Sequence, residues 1–207
     1  MKKVIMAVAA VFGFVIQSGA QQKGDVELGA NLGFNYATVQ KGSEDTKEHY
    51  GMNAGVSIDY YFSDQWSIKT KLTYDQKGWN RGSIYLIDTP YITYGTNYDL
   101  DYLTVPVTAS WHFGKKRNWY LDLGPYVGFL LSAKDSRFKR DVKEYFNQTD
   151  WGLALGVGLK IPVTDKLKLF VECDSQSGFS DLAQKKEDKS YRNSRVALNV
   201  GMNFTIK

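Results

Sequence analysis

Hydrolysis or acyl transfer at a protein site calls for a histidine close to a serine or a carboxylate. This chain has two histidines, His49 and His112. The residues after them are Tyr50-Gly51 and Phe113-Gly114, so neither opens a His-x-Ser pattern. No Gly-x-Ser-x-Gly, metal-ligand cluster or phosphate-binding loop is present, and Gly156-Val-Gly158 sits in a strand pattern rather than a dinucleotide loop. The sequence therefore predicts no catalytic residues, metal or cofactor. What it does carry is charge with a regular spacing. Glu27, Asp59, Asp75, Asp122, Glu172 and Asp174, with Lys69, Lys71, Lys160, Lys168 and Arg195, each fall on the polar phase of a segment that alternates with period two.

The stretch Thr149–Pro162 shows the alternation best. Trp151, Leu153, Leu155, Val157, Leu159 and Ile161 take one face; Gly152, Ala154, Gly156, Gly158 and Lys160 take the other. Successive side chains leave opposite faces of a strand, so period two is the strand period. The same pattern recurs over 26–39, 49–62, 66–74, 102–113, 119–131, 166–174 and 195–206, giving eight segments. Their connections alternate long and short. The longest, 78–100, contains β-prone runs and is expected to continue the flanking strands as a hairpin. An even strand number, with loops sorted by length, predicts an all-β fold. It is an eight-stranded antiparallel up-and-down transmembrane barrel with short periplasmic turns, long extracellular loops and both termini periplasmic.

Other features agree. Met1-Lys2-Lys3, the apolar run 4–16 and Ser18-Gly19-Ala20 form a secretory signal peptide over 1–20, leaving 21–207 as the barrel domain. No later run of about 18 apolar residues could form a spanning helix. Cys173 is the sole cysteine, so no internal disulfide holds the fold. The formal charge of +4, two units of it in the leader, gives no basis for nucleic-acid binding. Aromatic residues collect at two levels: Tyr60, Phe62, Trp66, Trp111, Phe113 and Trp119 near the short turns, and Tyr36, Tyr50, Tyr74, Trp79, Tyr102, Phe129 and Trp151 near the long loops. Two girdles separated by aliphatic residues match the two interfaces of a bilayer.

On this phase the eleven charged residues point into a lumen just wide enough for side chains to fill. There they either form a paired plug or line a narrow gated pore. Lys134, Arg137, Lys139, Arg140 and Lys143 crowd one long loop, where they either meet lipopolysaccharide phosphates or are simply solvated. Pro106 and Pro125 interrupt neighbouring strands at equal distance from the turn between them. Each lacks an N–H. They imply a bulge or displaced register, with the Tyr126 hydroxyl turned to a bare carbonyl; alternatively, each missing donor falls where the ladder needs none.

Tyr102-Leu-Thr-Val-Pro-Val107, Gly124-Pro-Tyr-Val-Gly-Phe129 and Trp151-Gly-Leu-Ala-Leu-Gly-Val-Gly158 resemble small Bacteroidetes outer-membrane barrels of the PorT-like type. The residues that carry the motif are Tyr102, Leu103, Pro106, Gly124, Pro125, Tyr126 and Gly128. The chain departs from these barrels in ending Phe204-Thr-Ile-Lys207 rather than on an aromatic residue. The resemblance implies an outer-membrane location and, as partners, outer-membrane lipid, lipopolysaccharide and the barrel assembly machinery. It leaves any specific protein partner open. Three functions follow in order: a non-enzymatic barrel with a structural or surface-interaction role through its loops, a small pore or PorT-like accessory of transport or protein secretion, and a lipid-modifying barrel enzyme.

Overall fold

A computed structural model describes residues 21–40, 46–85, 93–184 and 190–206. The expected leader, 1–20, lies outside the described residues, as do 41–45, 86–92 and 185–189 of the long connections. The period-two segments become strands β1 (Val26–Gln40), β2 (His49–Tyr61), β3 (Trp66–Tyr85), β4 (Thr93–Phe113), β5 (Trp119–Asp135), β6 (Thr149–Pro162), β7 (Leu167–Gly178) and β8 (Arg192–Thr205). Each pairs antiparallel with its neighbours, and β1 closes on β8 with Glu27 opposite Thr205. Closure leaves no edge strand, so backbone N–H and C=O groups are paired around the ring.

The pleat sorts the side chains. Leu32, Phe34, Val56, Leu155, Leu198 and Val200 point outward and are exposed, whereas Glu27, Asp59, Asp75, Lys160 and Glu172 point inward and are buried. This inversion of the usual soluble pattern forms a continuous apolar belt. Along β2 and the residue after it, the belt runs from Tyr50 to Phe62. Twelve steps of roughly 3.3 Å, tilted by roughly 40°, give roughly 30 Å, enough for the apolar band and its girdles. At the short-turn end Trp66, Trp111, Phe113 and Trp119 follow one another around the wall, with ring centroids 5.0–6.5 Å apart. Among the described residues no helix is long and apolar enough to cross a membrane; strands make up the wall.

The expected hairpin extension is present: β3 and β4 continue past the barrel rim to a Tyr85–Thr93 pair, with a register shift between Trp79 and Gly82. Two aromatics are corrected by it. Trp79 and Tyr102 are 4% and 0% exposed and do not belong to the outer girdle. Trp79 shares the odd phase of Asp75 and Lys77, and Tyr102 the even phase of Thr104, so the pleat turns both inward. Trp79 packs against Tyr98 and Phe146 at 4.7 and 5.8 Å. Together with Val39, Leu100, Leu130, Val142 and Leu182 they form a small hydrophobic core that roofs the lumen at the long-loop end.

The prolines bring no bulge. Pro106–Tyr126 and Ala109–Leu123 keep one register, and pairing merely lapses between them. On the other side of β4, Thr70–Val107 and Thr73–Thr104 also share a register across a lapse. The register shift between β4 and β5 instead lies higher, between Asp101 and Tyr102. The strands come close at the lapse: a Cβ on Gly124 would strike the carbonyl oxygen of Val107. The hydroxyl of Thr70 donates to the Pro106 carbonyl at 3.1 Å, replacing a ladder donor. Tyr126 points to a carboxylate, described below, rather than to a carbonyl.

Leu155 is at the middle of β6 and faces outward. Leu155→Arg is expected to destabilise the barrel by about 2–4 kcal/mol, as arginine does on a lipid face near the midplane. Equilibrium urea unfolding from liposomes measures it, and an unchanged midpoint would contradict the assignment of this face to lipid.

Candidate functional site

The inner face is built by alternate residues of all eight strands, and it brings the eleven sequence-predicted charges together in layers. At the short-turn end the Lys160 ammonium donates to Glu27 at 2.6 Å, Asp59 at 2.9 Å and the Tyr61 hydroxyl at 2.7 Å. Lys168 also bonds Glu27, and Asn203 donates to it at 3.1 Å. In the next layer Lys69 donates to Asp122 and Glu172 at 2.8 and 2.7 Å. Tyr120 donates to the same Glu172 oxygen as Lys69, at 2.8 Å, and Lys71 bonds the other. Above these, Arg195 pairs with Asp174 at 2.6 Å and Asp75 at 3.3 Å. Asn35 donates to Asp75 at 2.8 Å, and Asn199 to Asp174 at 2.6 Å. A ladder of amides, Asn31 to Asn53 to Asn35, links the strands between. Every one of the eleven is in an ion pair.

Two more charges belong to this interior. Lys77 pairs with Asp150 at 3.2 Å, and Tyr126, Asn193 and Ser180 all donate to the same carboxylate. The Lys77 ammonium sits 5.0 and 4.9 Å from the ring centres of Tyr102 and Tyr126, a cation–π arrangement that replaces part of its hydration. The signal for both residues was the period itself: Lys77 is in step with Asp75, and Asp150 with Gly152. Lys77 is just beyond the 66–74 segment, and Asp150 is inside 149–162 but before Trp151, where the alternation is read from.

Of the motif residues, Tyr102 and Tyr126 thus help hold this layer, and Gly128 and Pro106 are buried on the same inward phase. Leu103 and Pro125 face outward between those inward positions, and Gly124 is the close-approach point.

One cavity of about 30 Å³ touches Asn31, Asn53, Lys71, Thr73, Thr108 and Gln176. At about 10–15 Å³ for a water, it has room for roughly two.

His112 stands at the short-turn end of β4. It is fully buried, and its Nε2 is 2.9 Å from the Ser67 hydroxyl on the adjacent strand. Sequence spacing missed this pair because the two residues are 45 positions apart. Strand pairing alone makes them neighbours. The pair lacks what a nucleophile needs. Both residues are 0% exposed, and Nδ1 of His112 has no hydrogen-bond partner, so no acid orients the ring. His49 stands at the other end of the barrel, 3.6 Å from Asp99. Among the described residues no group of three His, Cys, Asp or Glu could hold a metal.

Comparison with known proteins agrees with this architecture. OprG from Pseudomonas aeruginosa superposes with a TM-score of 0.63 at 11% identity, over 92% of this chain and 99% of that one. Neisserial surface protein A gives 0.53 at 17% identity, over 86% and 96%. The outer membrane protein AlkL, solved in DMPC bilayers, gives 0.50 at 13% identity, over 94% and 95%. At these identities the likeness is one of fold. No curated protein matches the chain in sequence. The family described as outer membrane protein beta-barrel domain matches residues 17–184. The apolar belt, the closed ring and that match make this chain a bacterial outer-membrane protein, and it belongs to the outer membrane protein beta-barrel domain family.

Proposed function

We propose that this protein is a sealed, non-enzymatic barrel whose wall and interior serve as a rigid scaffold, and whose role is exercised by the surface at the long-loop end. The observation that carries this reading is the pairing of all eleven sequence-predicted interior charges, and of Lys77 with Asp150, around a cavity of about 30 Å³. A conducting lumen needs hydrated, mobile charges; nine of these are buried, Lys71 and Asp174 are half-buried, all are bonded to one another, and the Trp79 cluster roofs them. The enclosed Ser67–His112 pair has no route to a lipid substrate, which favours a non-enzymatic role over a lipid-modifying one.

In this reading residues 1–20 are a leader cleaved after Ala20. The short turns and both termini face the periplasm, and the long connections face outward. The finer affiliation is to the small Bacteroidetes, PorT-like barrels, on the strength of the Tyr102–Val107 and Gly124–Phe129 motifs. Partners are outer-membrane lipid, the assembly machinery and lipopolysaccharide. For the last, a buried Asp135 builds the presenting turn: it accepts from the amides of Phe138 and Arg140 at 2.7 and 3.1 Å and so displays Arg137, Lys139 and Arg140.

Two measurements test the scaffold. Purified protein in planar bilayers is expected to show no steady conductance. Lys69→Ala with Lys71→Ala is expected to lower heat resistance without opening a large pore. Steady conductance by the unaltered protein would replace this reading with transport. Glu172→Gln, which strips Lys71 of its carboxylate and Lys69 of one of two, is expected to cost about 3–5 kcal/mol. Adding Lys71→Met should recover much of that loss in urea unfolding from liposomes. A neutral Glu172→Gln would mean that the interior network does not hold the barrel.

A further inference from the structure

The ion pairs of the lumen do not balance. The eleven sequence-predicted charges are six carboxylates and five cations, and Asp150 and Lys77 add one of each. Among the described residues the paired interior thus sets seven negative charges against six positive ones. The layers show where the surplus lies. Near the short turns Glu27 and Asp59 meet Lys160 and Lys168. In the next layer Asp122 and Glu172 meet Lys69 and Lys71. Above them three carboxylates, Asp75, Asp150 and Asp174, share two cations, Lys77 and Arg195. Lys77 leans to Asp150, at 3.2 Å against 3.8 Å for Asp75. Arg195 is left to serve both Asp174 and Asp75. His112 lies at the short-turn end and adds nothing to this level. Both carboxylates on Arg195 are placed as acceptors. Asp75 takes Asn35 at 2.8 Å and Thr104 at 3.2 Å on its two oxygens. Asp174 takes Arg195 and Asn199, each at 2.6 Å. A donor on every oxygen is the arrangement of two ionised carboxylates.

The cavity of about 30 Å³ opens onto this level, lined by Asp174, Gln176 and Arg195 with Asn31 and Asn53. It has room because β6 sets only Ala154 and Gly156 opposite Gln176 and Asp174. Gln176 is 5% exposed, and its Oε1 is buried with no hydrogen-bond partner. Lys71 and Arg195 are the cations that line the cavity, and each is already engaged, with Glu172 and Asp174. A bare acceptor and a surplus negative charge therefore meet at one small space. An enclosed, unmatched charge is strongly unfavourable. We propose that this cavity is a binding site for one alkali-metal cation of about the size of sodium, held by Oε1 of Gln176 and the carboxylate of Asp174. One such ion balances the lumen, whereas a divalent ion would leave it positive beside Lys71 and Arg195. Carboxylate and amide oxygens suit a hard cation, and no histidine or cysteine lines the cavity to favour a softer one. Room for roughly two waters takes the ion and one water.

Urea unfolding from phosphatidylcholine liposomes tests the site, with N-methyl-D-glucamine chloride replaced stepwise by sodium chloride at constant ionic strength. The midpoint is expected to rise with sodium, because an ion bound only by the folded barrel stabilises it by mass action. Asp174→Asn removes the surplus charge, so its midpoint is expected to ignore sodium. Gln176→Leu keeps the charge but removes a ligand, and should need several-fold more sodium for the same shift. An unaltered barrel with one midpoint in both salts overturns the proposal, and means that a proton balances this level instead. An Asp174→Asn barrel that answers sodium as the unaltered one does also overturns it, since the ion then binds elsewhere. If Asp174→Asn does not fold, Gln176→Leu decides: an unchanged sodium dependence refutes the site. Planar-bilayer conductance tests the sealed scaffold separately, because an enclosed ion carries no current.

Discussion

Closing eight strands into a ring leaves an interior about one side chain wide, and the rest of this structure follows from that limit. The outer face must be apolar because it meets lipid. The inner face carries the polar residues, and it has too little water to solvate them. Each interior charge must therefore find its partner across the lumen. Glu172 shows how tightly this is arranged: its two oxygens take Lys69, Lys71 and Tyr120 from three directions. Glu27 does the same for Lys160 and Lys168 at the next level. These bonds join strands far apart around the ring, so they act as cross-braces rather than as ladder contacts. Buried ion pairs often add little net stability over an apolar alternative. Here an apolar alternative on the inner face would erase the difference between the two faces that fixes which side meets lipid.

The same limit explains why the wall tolerates two prolines. A missing N–H in a closed sheet would ordinarily leave a carbonyl bare. In this barrel the Thr70 hydroxyl donates to the carbonyl of Pro106 itself across the β3–β4 lapse, and the register on both sides of each lapse is preserved. The irregularity that does shift register lies where β5 rises toward the roof. At that level the interior changes character, from ion pairs to the packed aromatics Trp79, Tyr98 and Phe146. The wall below is thus kept in step with the bilayer, and the part above is free to fold as a small soluble core.

That division sets what the protein can do. The lumen spends its polar groups on one another, and even the serine–histidine contact at 2.9 Å is enclosed by the walls that bring it together. At one mouth residues 21–25 bond to Tyr61, Asp64 and Arg117, and the hydrophobic roof lies at the other. In the proposed scaffold, interaction with the surroundings falls to the lipid belt and to the loop surface, where Asp135 bonds the turn that carries Arg137, Lys139 and Arg140.

The sequence by itself determined the fold and the inner face. Alternation of side chains is a local property of a strand, and the phase read from Leu153, Leu155 and Val157 assigns every neighbouring residue to lipid or lumen. Hence eleven interior charges were legible without coordinates, and Lys77 and Asp150 would have been had the period been carried two residues further. Tertiary structure decided everything that depends on strand being set against strand. Only registration shows that Glu172 serves two lysines, and that Ser67 meets His112 across 45 residues. It also turns Trp79 and Tyr102 into a roof, and carries β4 past its prolines without a bulge. These are contacts between segments far apart in the chain, and their partners are chosen by the closure of the ring, which no single segment encodes.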